Sequence, residues 1–113
     1  MKENYLKRMP EKNNKISWFE DEMGCVTVKI ENNRLLRMIL NKPKTSYIHL
    51  DDMGSFIWNE IDGKSNLIEI GKKLSDRFGE KANPLYERLS KFFGILEGCR
   101  FISWNKSKNT DKL

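Results

Sequence analysis

Residues 47–78 read YIHLDDMGSFIWNEIDGKSNLIEIGKKLSDRF, and this stretch decides the fold. Asp51 has the side chain of an N-cap. After it Met53, Phe56, Ile57, Glu60 and Ile61 recur at helical spacing, with Trp58 among them. Asp62-Gly63 stops that helix. Ser65 or Asn66 caps the next, whose apolar stripe is Leu67, Ile70, Leu74 and Phe78. Glu69 lies three residues after Asn66, the spacing of a capping box, and one too far for Ser65. Gly79 ends the second helix as a left-handed C-cap residue.

Working outward, Asn83-Pro84 opens a third helix, with Pro84 in the first turn. Its stripe is Leu85, Leu89, Phe92 and Leu96, and Gly98 is its expected stop. Arg100 to Trp104 (RFISW) follows as a short strand or extended tail. Upstream, Lys44 to Leu50 (KTSYIHL) is rich in β-branched and aromatic residues, as strands are. Arg34 to Asn41 places Leu35, Leu36, Ile39 and Leu40 at helical spacing. It reads as a short helix, with a strand as the rival reading, and Pro43 ends it. Cys25 to Glu31 (CVTVKIE) sets Val26, Val28 and Ile30 against Thr27, Lys29 and Glu31, the period of a half-buried strand. Ile16 to Glu22 (ISWFEDE) is its hairpin partner across Met23-Gly24. The whole is α+β: a small three-stranded antiparallel sheet packed on a three-helix bundle, an arrangement like a winged helix-turn-helix.

The 113 residues fit one domain, with a hydrophobic share of 38% and a charged share of 33%. No apolar run approaches the roughly 20 residues of a membrane span. The N-terminus lacks the apolar core of a signal peptide, so the expected location is the cytoplasm, without membrane attachment. Cys25 and Cys99 then read as reduced core thiols.

The formal charge of +5 raises the possibility of nucleic acid. Residues 1–15 carry a net +3 and residues 105–113 a net +2, which leaves 16–104 neutral. The expected organisation is a basic flexible tail over 1–15, a domain over 16–104 and a flexible tail over 105–113. A folded DNA-binding domain carries its own basic face, so a winged-helix DNA-binding protein stands as the alternative and not as the leading reading.

Catalytic chemistry has no constellation behind it. His49 is a lone histidine on a strand, with no second metal ligand at a suitable spacing. The cysteines form no CxxC pair. Gly71 and Gly79 are not followed by the lysine and hydroxyl of a phosphate loop. Asp51 and Asp52 suit a helix N-terminus. Trp18, Trp58 and Trp104 read as core and edge anchors. No catalytic residue, metal ligand or cofactor is expected. A small enzyme subunit whose site forms only with a partner is a further rival.

The same stretch carries a resemblance. Leu50, Asp51, Gly54, Ile57-Trp58, the Asp62-Gly63 turn and Ile68-Glu69-Ile70 follow the pattern of the PqqD-like family, the recognition elements for ribosomally made precursor peptides. The likeness extends over roughly residues 16–104. It implies a peptide-binding adaptor that is not an enzyme, with a winged helix-turn-helix-like fold. Its partners would be the leader segment of a precursor peptide and a modifying enzyme acting in trans, such as a radical SAM protein. In the family the leader adds as a strand on the edge of the third strand and packs against the third helix. Carried over, the peptide-binding residues are Lys44, Thr45, Ser46, Tyr47, Ile48 and His49 on the strand, and Arg88, Lys91, Phe92 and Ile95 on the helix. Two departures stand out: residues 33–43 make a longer connection than the family's namesake is expected to have, and the 113 residues include no fused enzyme domain.

Physical chemistry agrees with this picture. An edge strand offers unpaired N–H and C=O groups to a partner strand. Arg34, Arg37, Lys42 and Lys44 lie between Asn32 and Leu50 with no acidic residue, so an acidic leader would be attracted there. A merely solvated basic face is the competing explanation. Leu89 and Phe92 are equally open to a plain core role.

Overall fold

The structure is a computed structural model that describes residues 5–31, 38 and 45–105. Its elements, in chain order, are β1 (Met9–Lys12), β2 (Ser17–Glu20), β3 (Val26–Glu31), β4 (Thr45–His49), α1 (Asp52–Glu60), α2 (Leu67–Phe78), a 3-10 turn (Gly79–Ala82), α3 (Leu85–Gly98) and β5 (Ile102–Asn105). Among the described residues they form an α+β fold of three helices and two small antiparallel sheets. The expected short helix at 34–41 lies outside the described residues apart from Met38.

The larger sheet has the order β2-β3-β4. The hairpin follows from its turn. Asp21 Oδ1 accepts from the N–H groups of Met23 and Cys25, and Gly24 takes φ +87°, which a side chain would resist. Trp18 stands opposite Val28, and Val28 opposite Ile48, on the face turned to the helices.

The helix starts are built as their sequences require. Asp51 accepts from the Gly54 N–H at 2.8 Å. Asn66 and Glu69 make the reciprocal capping box, which decides between Ser65 and Asn66 in favour of Asn66. Between α1 and α2, Asp62 accepts from the Lys64 and Ser65 N–H groups at 2.8 and 2.9 Å. The hydrogen bond from Lys64 leads in holding its carboxyl below the ordinary aspartate value. Gly79 caps α2 with the expected positive φ of +63°, but its ψ of −137° lies outside the left-handed helical region, and the chain continues into the 3-10 turn. α3 ends at Gly98, the expected stop. The positive φ (+64°) falls on Arg100, where the Phe101 N–H reaches back to Leu96 O at 2.9 Å.

The core gathers Val26 and Val28 from β3, Ile57 and Trp58 from α1, Leu67, Ile70 and Leu74 from α2, and Leu89, Phe93 and Leu96 from α3. Gly71 lets α2 approach α3. A Cβ there would stand 2.9 Å from Tyr86 Cε1 and 3.0 Å from Leu89 Cδ1. Overpacking costs about 1–3 kcal/mol, against about 1 kcal/mol of helix propensity gained. Gly71→Ala is therefore expected to lower stability by about 1 kcal/mol in a urea titration, and removing the Tyr86 ring in the same chain should recover part of that.

The second sheet corrects the expectation of a tail over 1–15. Met9 to Lys12 pairs antiparallel with β5, in the register Met9↔Asn105 to Lys12↔Ile102. Met9 and Pro10 are buried. MPEK carries no alternating apolar pattern, because its burial is supplied by β5, far along the chain. Pro10 is tolerated because a two-stranded sheet leaves one edge of each strand unpaired.

Lys12 ties this sheet to the rest. Its Nζ donates to the Ile61 carbonyl at 3.2 Å and stands 4.9 Å from the Trp18 ring centre and 5.5 Å from that of Trp58. α1 has no basic residue in its last turn, so Lys12 places the cation that the negative end of that helix favours. Burial pulls the Lys12 pKa down, and the nearby Asp62 opposes it.

Candidate functional site

β4 is an outer strand of the larger sheet, and no described strand pairs with its far side. The ladder parity sets which groups face outward. The Leu50 N–H donates to Val26 O at 2.8 Å and continues the β3–β4 register. Hydrogen-bonded and non-hydrogen-bonded pairs alternate in an antiparallel ladder. Ile48 and Ser46 therefore bond toward Val28 and Ile30, while the backbones of Thr45, Tyr47 and His49 turn to the outer edge.

The side chains alternate in the same sense. Ser46 and Ile48 share the helix-facing side and are half-buried. Tyr47 and His49 lie on the opposite face, with Tyr47 54% exposed. His49 Nδ1 is 2.8 Å from Thr27 Oγ1, across the strand pair. The histidine is thus engaged in a cross-strand hydrogen bond. Among the described residues no cluster of histidine, cysteine and carboxylate could hold a metal ion.

α3 contributes Phe92 and Ile95. A Cβ on Gly54 would meet Leu50 Cβ and Phe92 Cε1 at 3.4 Å each, so Phe92 lies beside the end of β4. The tightest approach to such a Cβ is the Asp51 carboxylate Oδ1 at 3.1 Å, the oxygen that caps α1 through the Gly54 N–H, so glycine leaves room for the cap. At the other end of α3, Cys99 and Arg100 share a depression with Lys29 and Ile30. The helix therefore runs from the Leu50 end of β4 toward Ser17 of β2 and Lys29–Ile30 of β3. Phe92 is half-buried, and Ile95 is 58% exposed. Leu89 is fully buried and belongs to the core.

The remaining sequence-derived residues divide. Arg88 and Lys91 are exposed and line an open cleft of about 650 Å³ with Leu6, Pro84 and Tyr86. Arg88 Nε also donates to the Ala82 carbonyl at 3.2 Å, which holds its guanidinium near the first turn of α3. Lys44 lies outside the described residues, as do Arg34, Arg37 and Lys42. Sequence reasoning missed β1, Lys12 and the Leu6 side of that cleft, because no local pattern marks them.

Neither cysteine belongs to the buried core. Both are free thiols, but Cys99 is exposed rather than a core residue as expected. It is the C-cap residue that follows α3. Cys25 Sγ is 3.4 Å from Asp52 Oδ1, and that hydrogen bond, with desolvation behind it, pushes the thiol pKa up. The thiolate is the reactive form, so the shift works against reactivity.

No described helix is long and apolar enough to cross a membrane. No curated protein and no solved structure matches the chain significantly. Residues 37–102, more than half of the chain, match the family described as Coenzyme PQQ synthesis protein D (PqqD). The match takes in β4, all three helices and the turns between them. The chain belongs to the PqqD family.

Proposed function

We propose that this chain is a non-catalytic adaptor that binds the leader segment of a ribosomally made precursor peptide and presents it to a modifying enzyme in trans, such as a radical SAM protein. The observation that carries this reading is the outer edge of β4, with no described strand against it and with Phe92 beside its Leu50 end. The peptide would add as a strand to Lys44–His49. Main-chain bonds to Thr45, Tyr47 and His49 supply affinity with little demand on sequence. Its inward side chains would lie against Phe92 and Ile95, with Arg88 and Lys91 flanking them. In this reading the sheet and bundle act as a winged-helix-like platform in the cytoplasm. The test is calorimetric titration of the full chain with the precursor peptide encoded beside its gene. A dissociation constant below about 100 µM, or roughly 5.5 kcal/mol of binding free energy, is expected. Weaker binding counts against the adaptor.

A further inference from the structure

The outer edge of β4 is complementary to itself. Its outward backbone groups belong to Thr45, Tyr47 and His49, by the parity that the Leu50–Val26 bond sets. A two-fold axis at Tyr47 would set Tyr47 against Tyr47 of a second copy, and Thr45 against His49. All of these are hydrogen-bonded pairs of one new antiparallel ladder, so every outward N–H and C=O from Thr45 to His49 finds a partner. The side chains agree with that register. Tyr47, 54% exposed, would meet its own copy on the face away from the helices, and aromatic cross-strand pairs are favourable. On the helix face, half-buried Ile48 would stand opposite Ser46. The other edge of the same sheet is protected. The Asp21 N–H bond to Cys25 O turns the Glu20 backbone outward there, and Glu20, Asp21 and Glu22 are all exposed. Charged residues along an edge oppose pairing between copies. β4 (TSYIH) has no lysine, proline or carboxylate to serve that purpose.

We infer that a second copy of this chain occupies the β4 edge when no other strand does, and that this pairing masks the peptide site. The masking rests on the adaptor reading; the pairing does not. A five-residue edge makes a small interface, and interfaces below about 1,200 Å² are transient. The dimer is therefore weak and forms only in concentrated protein. A leader segment that binds in the range proposed above displaces the second copy, because both need the same N–H and C=O groups.

Sedimentation velocity of the full chain from about 10 µM to about 1 mM tests it and should show a monomer passing into a dimer. In a sample mixed from two isotope labellings, an Hα–Hα contact should join Ser46 of one copy to Ile48 of the other, the close non-hydrogen-bonded pair of that register. Tyr47→Pro should abolish the dimer, and Glu20→Pro at the β2 edge should leave it unchanged. Adding the precursor peptide encoded beside the gene should return the chain to one copy per complex. A monomer at every concentration, or a dimer without the Ser46–Ile48 contact, would overturn the pairing whether or not the variants fold. So would a dimer that survives in a folded Tyr47→Pro chain. A dimer with that contact that persists under saturating peptide would overturn the masking. The calorimetric titration reports separately whether the peptide binds, so failure of the adaptor reading leaves the pairing standing.

Discussion

A Tyr47→Pro chain is expected to lose at least about tenfold in peptide affinity, or roughly 1.4 kcal/mol, while keeping its fold. The Tyr47 N–H faces the outer edge because Tyr47 and Lys29 form a non-hydrogen-bonded pair. Proline there removes one donor from the incoming strand and sets its ring in that strand's path. A hydrogen bond contributes a net of about 1 kcal/mol, and the steric effect adds to it. The β3–β4 ladder keeps its own bonds through Ser46 and Ile48. Ile48→Pro is the internal contrast, since it removes a ladder bond and should destabilise the sheet itself. Fluorescence anisotropy with labelled precursor peptide, alongside thermal melts, separates the two variants. Unchanged affinity in a folded Tyr47→Pro chain would exclude the β4 edge as the binding surface.

Trp58→Ala is expected to lower stability by about 3–5 kcal/mol, the usual cost of emptying a buried tryptophan site. A domain of this size has roughly 5–15 kcal/mol in total, so the variant should be substantially unfolded near its physiological temperature. Trp58 is fully buried, with Trp18 edge-on at 5.8 Å and Phe101 edge-on at 6.4 Å. Lys12 stacks over the same ring, so its removal also loosens β1. The indole Nε1 is buried without a hydrogen-bond partner. Trp58→Phe therefore sacrifices no hydrogen bond and relieves an unsatisfied donor, and its loss should be clearly smaller. Urea denaturation of the two variants checks this. Equal losses would mean that packing volume is not what Trp58 supplies.

Neither prediction depends equally on sequence and on structure. Trp58 was legible as a core anchor from its place in a helical stripe after an N-cap. The caps at Asp51 and Asn66, the hairpin turn at Met23-Gly24 and the ends of α2 were legible for the same reason. Each depends on groups within about four residues of one another, so backbone hydrogen bonding and side-chain period determine them locally. The candidate strand Lys44 to Leu50 was legible from its β-branched and aromatic residues, while Phe92 and Ile95 were named only through the family resemblance.

The tertiary structure alone decided the rest. Alternation in KTSYIHL marks a strand but cannot say which neighbour it takes or which edge stays open. That depends on the order β2-β3-β4 and on the ladder parity that turns Tyr47, and not Ile48, outward. Met9–Lys12 looks like a charged tail in isolation and becomes a strand only because Ile102–Asn105 lies opposite it. Gly98 is the helix stop that the sequence marks, but the chain reversal after it falls on Arg100, where Phe101 turns back into the core. Gly71 is required by the Tyr86 ring and Leu89 side chain that arrive from α3, not by its own backbone angles. Local hydrogen bonding and period are written in adjacent residues. Strand partners, edges and close contacts arise from burying surfaces that the chain brings together across its whole length.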